Sequence, residues 1–202
     1  MRASLAALAL SLVLAAPASA TQEYILPTLF DVTGVAADDV LNIRAEPNAG
    51  AAIIGTLAPD ATGIEVTEER RGWARVNTAE GSGWASARYL AYRVDVWEEG
   101  KLPDAFSCYG TEPFWSATVQ GRDLILSTPE VAETRFPVSA ILSTGVFRDP
   151  TRVVVGQGAS LTAMPQQCSD GMSDRRFGLA GLFVLTGDDP HLLSGCCSIQ
   201  AR

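Results

Sequence analysis

From residue 28 onward, short apolar runs alternate with turn-forming clusters, and no segment sustains a helical period. Leu41-Asn42-Ile43-Arg44 alternates apolar and polar side chains, the pattern of a strand with one buried face. Glu46-Pro47-Asn48-Ala49-Gly50 is turn chemistry, and Ile53-Ile54-Gly55-Thr56-Leu57 is the next apolar run, closed by Ala58-Pro59-Asp60. Ile64-Glu65-Val66 alternates again, Glu68-Glu69-Arg70-Arg71-Gly72 makes a charged turn, and Trp73-Ala74-Arg75-Val76 alternates once more before Gly81-Ser82-Gly83 turns into Trp84-Ala85. Five short strands between residues 28 and 92 predict a small barrel.

The second half also favours strands. Phe114–Gln120 is aromatic and β-branched, Gly121-Arg122-Asp123 turns it, and Leu124–Thr128 follows. Arg152–Val155 is another run, and Leu182–Thr186 precedes the turn Gly187-Asp188-Asp189-Pro190 and a last run, His191–Cys197. Only Ala132–Leu142 hints at helix, and Pro137 argues against it. The fold expected overall is all-β: a small barrel, then a β-meander curved into a barrel or half-barrel. The boundary falls at residues 93–103, where Glu98-Glu99-Gly100-Lys101-Leu102-Pro103 reads as a polar linker between domains at 21–92 and 104–202.

Residues 1–20 have a different pattern. Met1-Arg2, an apolar Leu5–Ala16 run, Pro17 and the small-residue site Ala18-Ser19-Ala20 are the parts of a removable export signal in order. The run is too short to span a bilayer, and Thr21 stands where a lipid-anchored chain needs cysteine. The expectation is a periplasmic or secreted protein with neither a transmembrane segment nor a lipid anchor. In an oxidising compartment, Cys108, Cys168, Cys196 and Cys197 point to disulfides. Three pairings exist, and Cys108 and Cys168 each joining one of the adjacent pair is favoured, because neighbours on a strand point to opposite faces. Four zinc thiolates are the competing reading, against which stands the absence of the usual spacing in Cys196-Cys197.

Charge and chemistry narrow the function. A net charge of −8 excludes a nucleic-acid binder working through phosphate neutralisation. One histidine, His191, excludes a multi-histidine metal centre, and its place after a turn proline predicts a surface position. No cofactor is implied, and no catalytic constellation stands out. Trp73, Trp84, Tyr89 and Tyr92 are candidates for an aromatic groove or for core packing. Asn42 and Arg44 lie on a polar strand face, where Arg44 either takes a ligand carboxylate or pairs locally with Glu46 or a loop carbonyl. Glu112, Asp170 and Asp174 are the candidate carboxylates for a glycosidase-like role or for loop bonding, Asp170-to-Asp174 is a weak calcium pattern, and Arg175-Arg176 is a candidate contact for an acidic ligand.

Two stretches resemble known families. Asp39–Pro47, Ile54–Leu57, Gly72–Val76 and Gly83–Leu90 together resemble a bacterial SH3-like domain, a resemblance that implies a small barrel and, in some exported relatives, binding to cell-wall peptide, glycan or protein. Gly110-Thr111-Glu112-Pro113-Phe114-Trp115, Cys168-Ser169-Asp170-Gly171-Met172-Ser173-Asp174-Arg175 and Gly195-Cys196-Cys197 resemble an uncharacterised family of bacterial envelope proteins, which implies architecture and no activity. That half is more loosely similar to the small β domains of heat-shock and lysozyme-inhibitor lipoproteins. The expected function is a non-catalytic envelope binding protein whose partner is peptidoglycan or an envelope protein. Inhibition of lysozyme and carboxylate-dependent wall hydrolysis are the alternatives.

Overall fold

The computed structural model describes residues 24–200, so the expected signal at residues 1–20 lies outside the described part. The chain is nearly all β. The first lobe has seven strands: β1 (Thr28–Val32), β2 (Leu41–Arg44), β3 (Ile53–Leu57), β4 (Ile64–Arg70), β5 (Trp73–Asn77), β6 (Ser82–Ser86) and β7 (Leu90–Tyr92). They form one antiparallel sheet in the order β3-β2-β6-β5-β4-β1-β7. Period-2 alternation sets the faces: Ile43, Val66, Ala74, Val76 and Ala85 point into one apolar cluster with Phe30 and Val32. The β4–β5 hairpin shows how local sequence sets the register. Arg70 pairs with Trp73, and both turn residues have positive φ, 51° at Arg71 and 80° at Gly72, as a two-residue type I′ turn requires.

The second lobe is an eight-stranded closed barrel of β8 (Ser107–Thr111), β9 (Phe114–Gln120), β10 (Asp123–Ser127), β11 (Thr134–Ser143), β12 (Arg152–Gly156), β13 (Ala159–Cys168), β14 (Phe177–Leu185) and β15 (His191–Ser198). Each strand pairs antiparallel with the next, and β15 closes on β8. Leu124, Leu161, Leu179 and Phe183 fill the interior completely buried, each stabilising the fold by about 2 kcal/mol through area removed from water. The stretch that hinted at helix is β11. Its backbone bonds go to β10 and β12, and Pro137 sits beside the hairpin turn, its carbonyl accepting from Gln157.

Residues 93–103 contain no strand, yet they are not a free polar linker. Val96 and Trp97 are buried in the barrel core, and the Trp97 indole donates to the Pro27 carbonyl at 2.8 Å. Arg152, 2% exposed, donates to the carbonyls of Glu98, Lys101, Asp149 and Thr151 at 2.6–3.0 Å and lies 5.0 Å over the Trp97 ring. The exposed charges of this segment masked an apolar anchor, because Trp97 has no alternating neighbours to mark it as core.

The lobes also meet directly. Asn77 exchanges two bonds of 3.0 Å with the backbone of Arg176, Gln167 donates to Thr67 O at 3.2 Å, and Asp174 N–H donates to Glu80 O at 3.1 Å. Glu65 on β4 is fully buried against the end of β15, accepting from the Ser198 hydroxyl at 2.5 Å.

Candidate functional site

Barrel closure gathers the three motif clusters at one rim. The β8–β9 turn carries Thr111–Phe114, the β13–β14 loop carries Ser169–Arg176, and β15 carries Gly195–Cys197. Thr111 Oγ1 donates to Asp170 O at 2.7 Å, joining turn to loop. Cys168 bonds to Cys196 and Cys108 to Cys197, the favoured class of pairing, so the sulfurs brace the barrel rather than ligate zinc. The glycines are set by close approach. A Cβ on Gly110 would fall 2.2 Å from Trp115 Nε1, and one on Gly195 would fall 2.1 Å from Tyr109 O. With Gly110 bare, the Trp115 indole crosses β8 and donates to Ser194 O at 3.1 Å. Trp115 is 4% exposed and packs with Phe183, so the tryptophan of the Gly110–Trp115 motif, a candidate ligand contact by its aromatic type, belongs mainly to the core.

Two depressions wrap around the Thr111–Phe114 turn. One, about 550 Å³, lies at the lobe junction and is lined by Glu80 from the first lobe together with Phe114, Asp170, Ser173 and Arg175. The other, about 820 Å³, is lined by Glu112, Phe114, Asp170, Met172 and Ser194. A third hollow, lined by Ile54, Thr78, Glu80 and Arg175, continues onto the first lobe. Phe114 is 53% exposed.

The loop fixes its own charges. Asp170 Oδ1 accepts from the backbone N–H groups of Met172 and Ser173 at 3.1 and 2.9 Å, and the Ser173 hydroxyl reaches both carboxylate oxygens. Burial pushes the Asp170 carboxyl up, but the Ser173 and Met172 N–H groups, the Ser173 hydroxyl and the Arg175 charge outweigh it and hold the group below its ordinary value. Asp170 is thus a fixed anion that shapes the loop. Glu112 is exposed on the second depression and shares it with Asp170, while Asp174 is exposed and held through its backbone to Glu80. Arg175 stacks 5.3 Å from the Phe177 ring, and its Nε is buried without a hydrogen-bond partner.

The candidates of the first lobe separate into two groups. Arg44 and Arg75 both pair in register with Trp84, so Trp84 lies on the outer sheet face. It is 4% exposed there because the guanidinium groups of Arg75 and Arg70 lie 4.6 and 5.7 Å from its ring. Arg75 also pairs with Glu68 at 3.2 Å. Arg44 donates to the Ala51 carbonyl at 2.7 Å, the local alternative raised by the sequence. Asn42 and Trp73 are half-buried. Tyr89 and Tyr92 pack on the inner apolar cluster instead, with Tyr92 against Tyr24 and Phe30. One groove lined by all four aromatics is therefore not what the fold builds. His191 is exposed at the β14–β15 turn, 2.8 Å from Asp189 O, and lines none of the three depressions.

Sequence reasoning missed Glu80 and Glu65. Glu80 sits in an exposed turn with no pattern of its own, and the Ile64-Glu65-Val66 alternation assigns Glu65 to solvent, whereas the barrel covers it.

Residues 39–91 match the bacterial SH3 domain family. The match covers about a quarter of the chain, from just before β2 into β7, and fits the sheet described for that lobe. No curated protein and no solved structure shows a significant match to the chain. Among the described residues no helix is long and apolar enough to cross a membrane.

Proposed function

We propose that this is an exported cell-envelope binding protein. Its SH3-like lobe docks on peptidoglycan or on a wall-associated protein, and its barrel is a non-catalytic ligand-binding module of the envelope family that the G-x-E-P-F-W, C-S-D-G-M-S-D-R and G-C-C segments resemble. The observation that carries the reading is the bacterial SH3 match at residues 39–91, since such domains fit a cell-wall binding role. The two disulfides fit an oxidising, extracytoplasmic compartment. Two features support a binding rather than a catalytic barrel: the main rim carboxylate, Asp170, is consumed by loop bonds, and the junction depression offers an aromatic edge and hydroxyl groups to a ligand.

The test is co-sedimentation of the full chain with purified peptidoglycan sacculi. Sedimentation that survives a high-salt wash supports wall docking. A folded protein that stays in the supernatant removes it. A second reading is favoured by the net charge of −8, which suits a basic enzyme as partner. Under it the protein inhibits lysozyme, and added salt abolishes the inhibition.

A further inference from the structure

Arg175 stands where the junction depression meets the hollow of the first lobe, and it lines both. Its guanidinium is placed by the Cys168–Cys196 brace, the Asp170 loop and the face of Phe177. Among the described residues it forms no salt bridge, and its Nε is buried with no hydrogen-bond partner. A positioned guanidinium whose donors are left open is a bidentate receptor for a planar oxyanion. Asp170, the acid of the same loop, does not fill that role, because the Met172 and Ser173 amides and the Ser173 hydroxyl already occupy its oxygens. Glu80 and Asp170 leave the lining with one more negative than positive charge, which disfavours polyanions. Among anions, a single carboxylate on an otherwise neutral molecule meets the least of this repulsion. Phe114 offers an exposed ring edge for an apolar side chain, and the hydroxyls of Thr111, Ser116 and Thr128 offer bonds to peptide groups.

We propose that Arg175 is the anion-binding residue of the inter-lobe cleft, and that the cleft takes a short neutral peptide held by its free carboxylate. The inference rests on the reading of the barrel as a ligand-binding module, and it adds the ligand class and the residue that reads it.

The test uses the full chain, isotopically labelled, titrated with N-acetyl-alanyl-alanine and separately with its C-terminal amide. The expected result is a shift of the Arg175 Nε–H signal and of the Thr111 and Ser173 amides with the acid, and binding at least tenfold weaker for the amide. Arg175→Gln abolishes the difference between acid and amide. Phe114→Ala, an exposed site that leaves the fold intact, weakens both forms and preserves their ratio. Equal binding of acid and amide, shifts confined to other residues, an unchanged acid preference in folded Arg175→Gln, or no binding of either form would each overturn the proposal. Sedimentation with sacculi separates the two readings: a chain that sediments but ignores the peptide loses only the cleft assignment, and one that binds the peptide but does not sediment loses only wall docking.

Discussion

Glu65→Gln tests the inter-lobe contact most directly. Glu65 is 0% exposed on β4, its Oε2 accepts from the Ser198 hydroxyl at 2.5 Å, and its Oε1 has no partner. Burial pushes the carboxyl from 4.5 up to about 7, although the Ser198 hydroxyl, the Ile199 and Gln200 N–H groups and the Arg175 charge pull the other way. Between these two values the folded protein keeps a proton that the unfolded chain has released. Stability from this group is therefore fully present below pH 4.5 and falls as pH rises through about 7. A difference of that size corresponds to about 3 kcal/mol across the window. Glutamine keeps the shape and the acceptor oxygen but does not titrate, so the variant loses this slope. The assay is urea unfolding of both proteins at pH 5 and pH 8, followed by tryptophan fluorescence. Comparing the variant's effect at the two pH values cancels whatever the substitution does to packing. The variant is expected to gain about 2–3 kcal/mol relative to the native chain on going from pH 5 to pH 8. An effect equal at the two pH values, within about 0.5 kcal/mol, would refute the burial argument, since Glu65 would then titrate as a solvated carboxyl.

Other consequences can be checked in the same way. Trp97→Ala removes a buried ring and the bond to Pro27, and is expected to cost about 3–5 kcal/mol in chemical denaturation; a loss below 1 kcal/mol would show residues 93–103 to be a mere linker. Replacing Cys168 and Cys196 together by serine opens a 28-residue separation, with an expected loss of about 3 kcal/mol and faster hydrogen exchange at Met172 and Ser173; unchanged exchange would count against the brace. Asp170→Asn removes an anion held below its ordinary pKa, so the native chain should lose stability on acidification below that ordinary value while the variant loses less, and matching acid unfolding profiles would contradict the loop-bond account. Gly195→Ala drives a methyl group into Tyr109 O and is expected to lower the melting temperature sharply, whereas Gly187→Ala, which meets nothing, should leave it nearly unchanged.

The sequence alone determined a good deal here. Period-2 runs, two-residue turns such as Arg71-Gly72 and the Gly-Trp pairs encode the strands locally, because side-chain direction in a strand depends only on position parity. The all-β class and the SH3-like lobe were legible for that reason. The clustered glycines and cysteines marked the motif-bearing rim, and the geometry of adjacent cysteines narrowed the pairing to the class observed. Tertiary structure decided what depends on non-local approach. Only closure of β15 on β8 brings Gly110, Asp170 and Cys196 together across the barrel rim. Only docking of the lobes buries Glu65 and Trp97 and sets Glu80 beside Arg175, since each reads as solvent-facing or unpatterned within its own segment. The same holds for Trp84. An outward tryptophan has the sequence signature of a binding platform, and it is closed off because Arg75 reaches across from the neighbouring β5 and Arg70 from β4 beyond it, a contact fixed by sheet order and register rather than by any residue's own type.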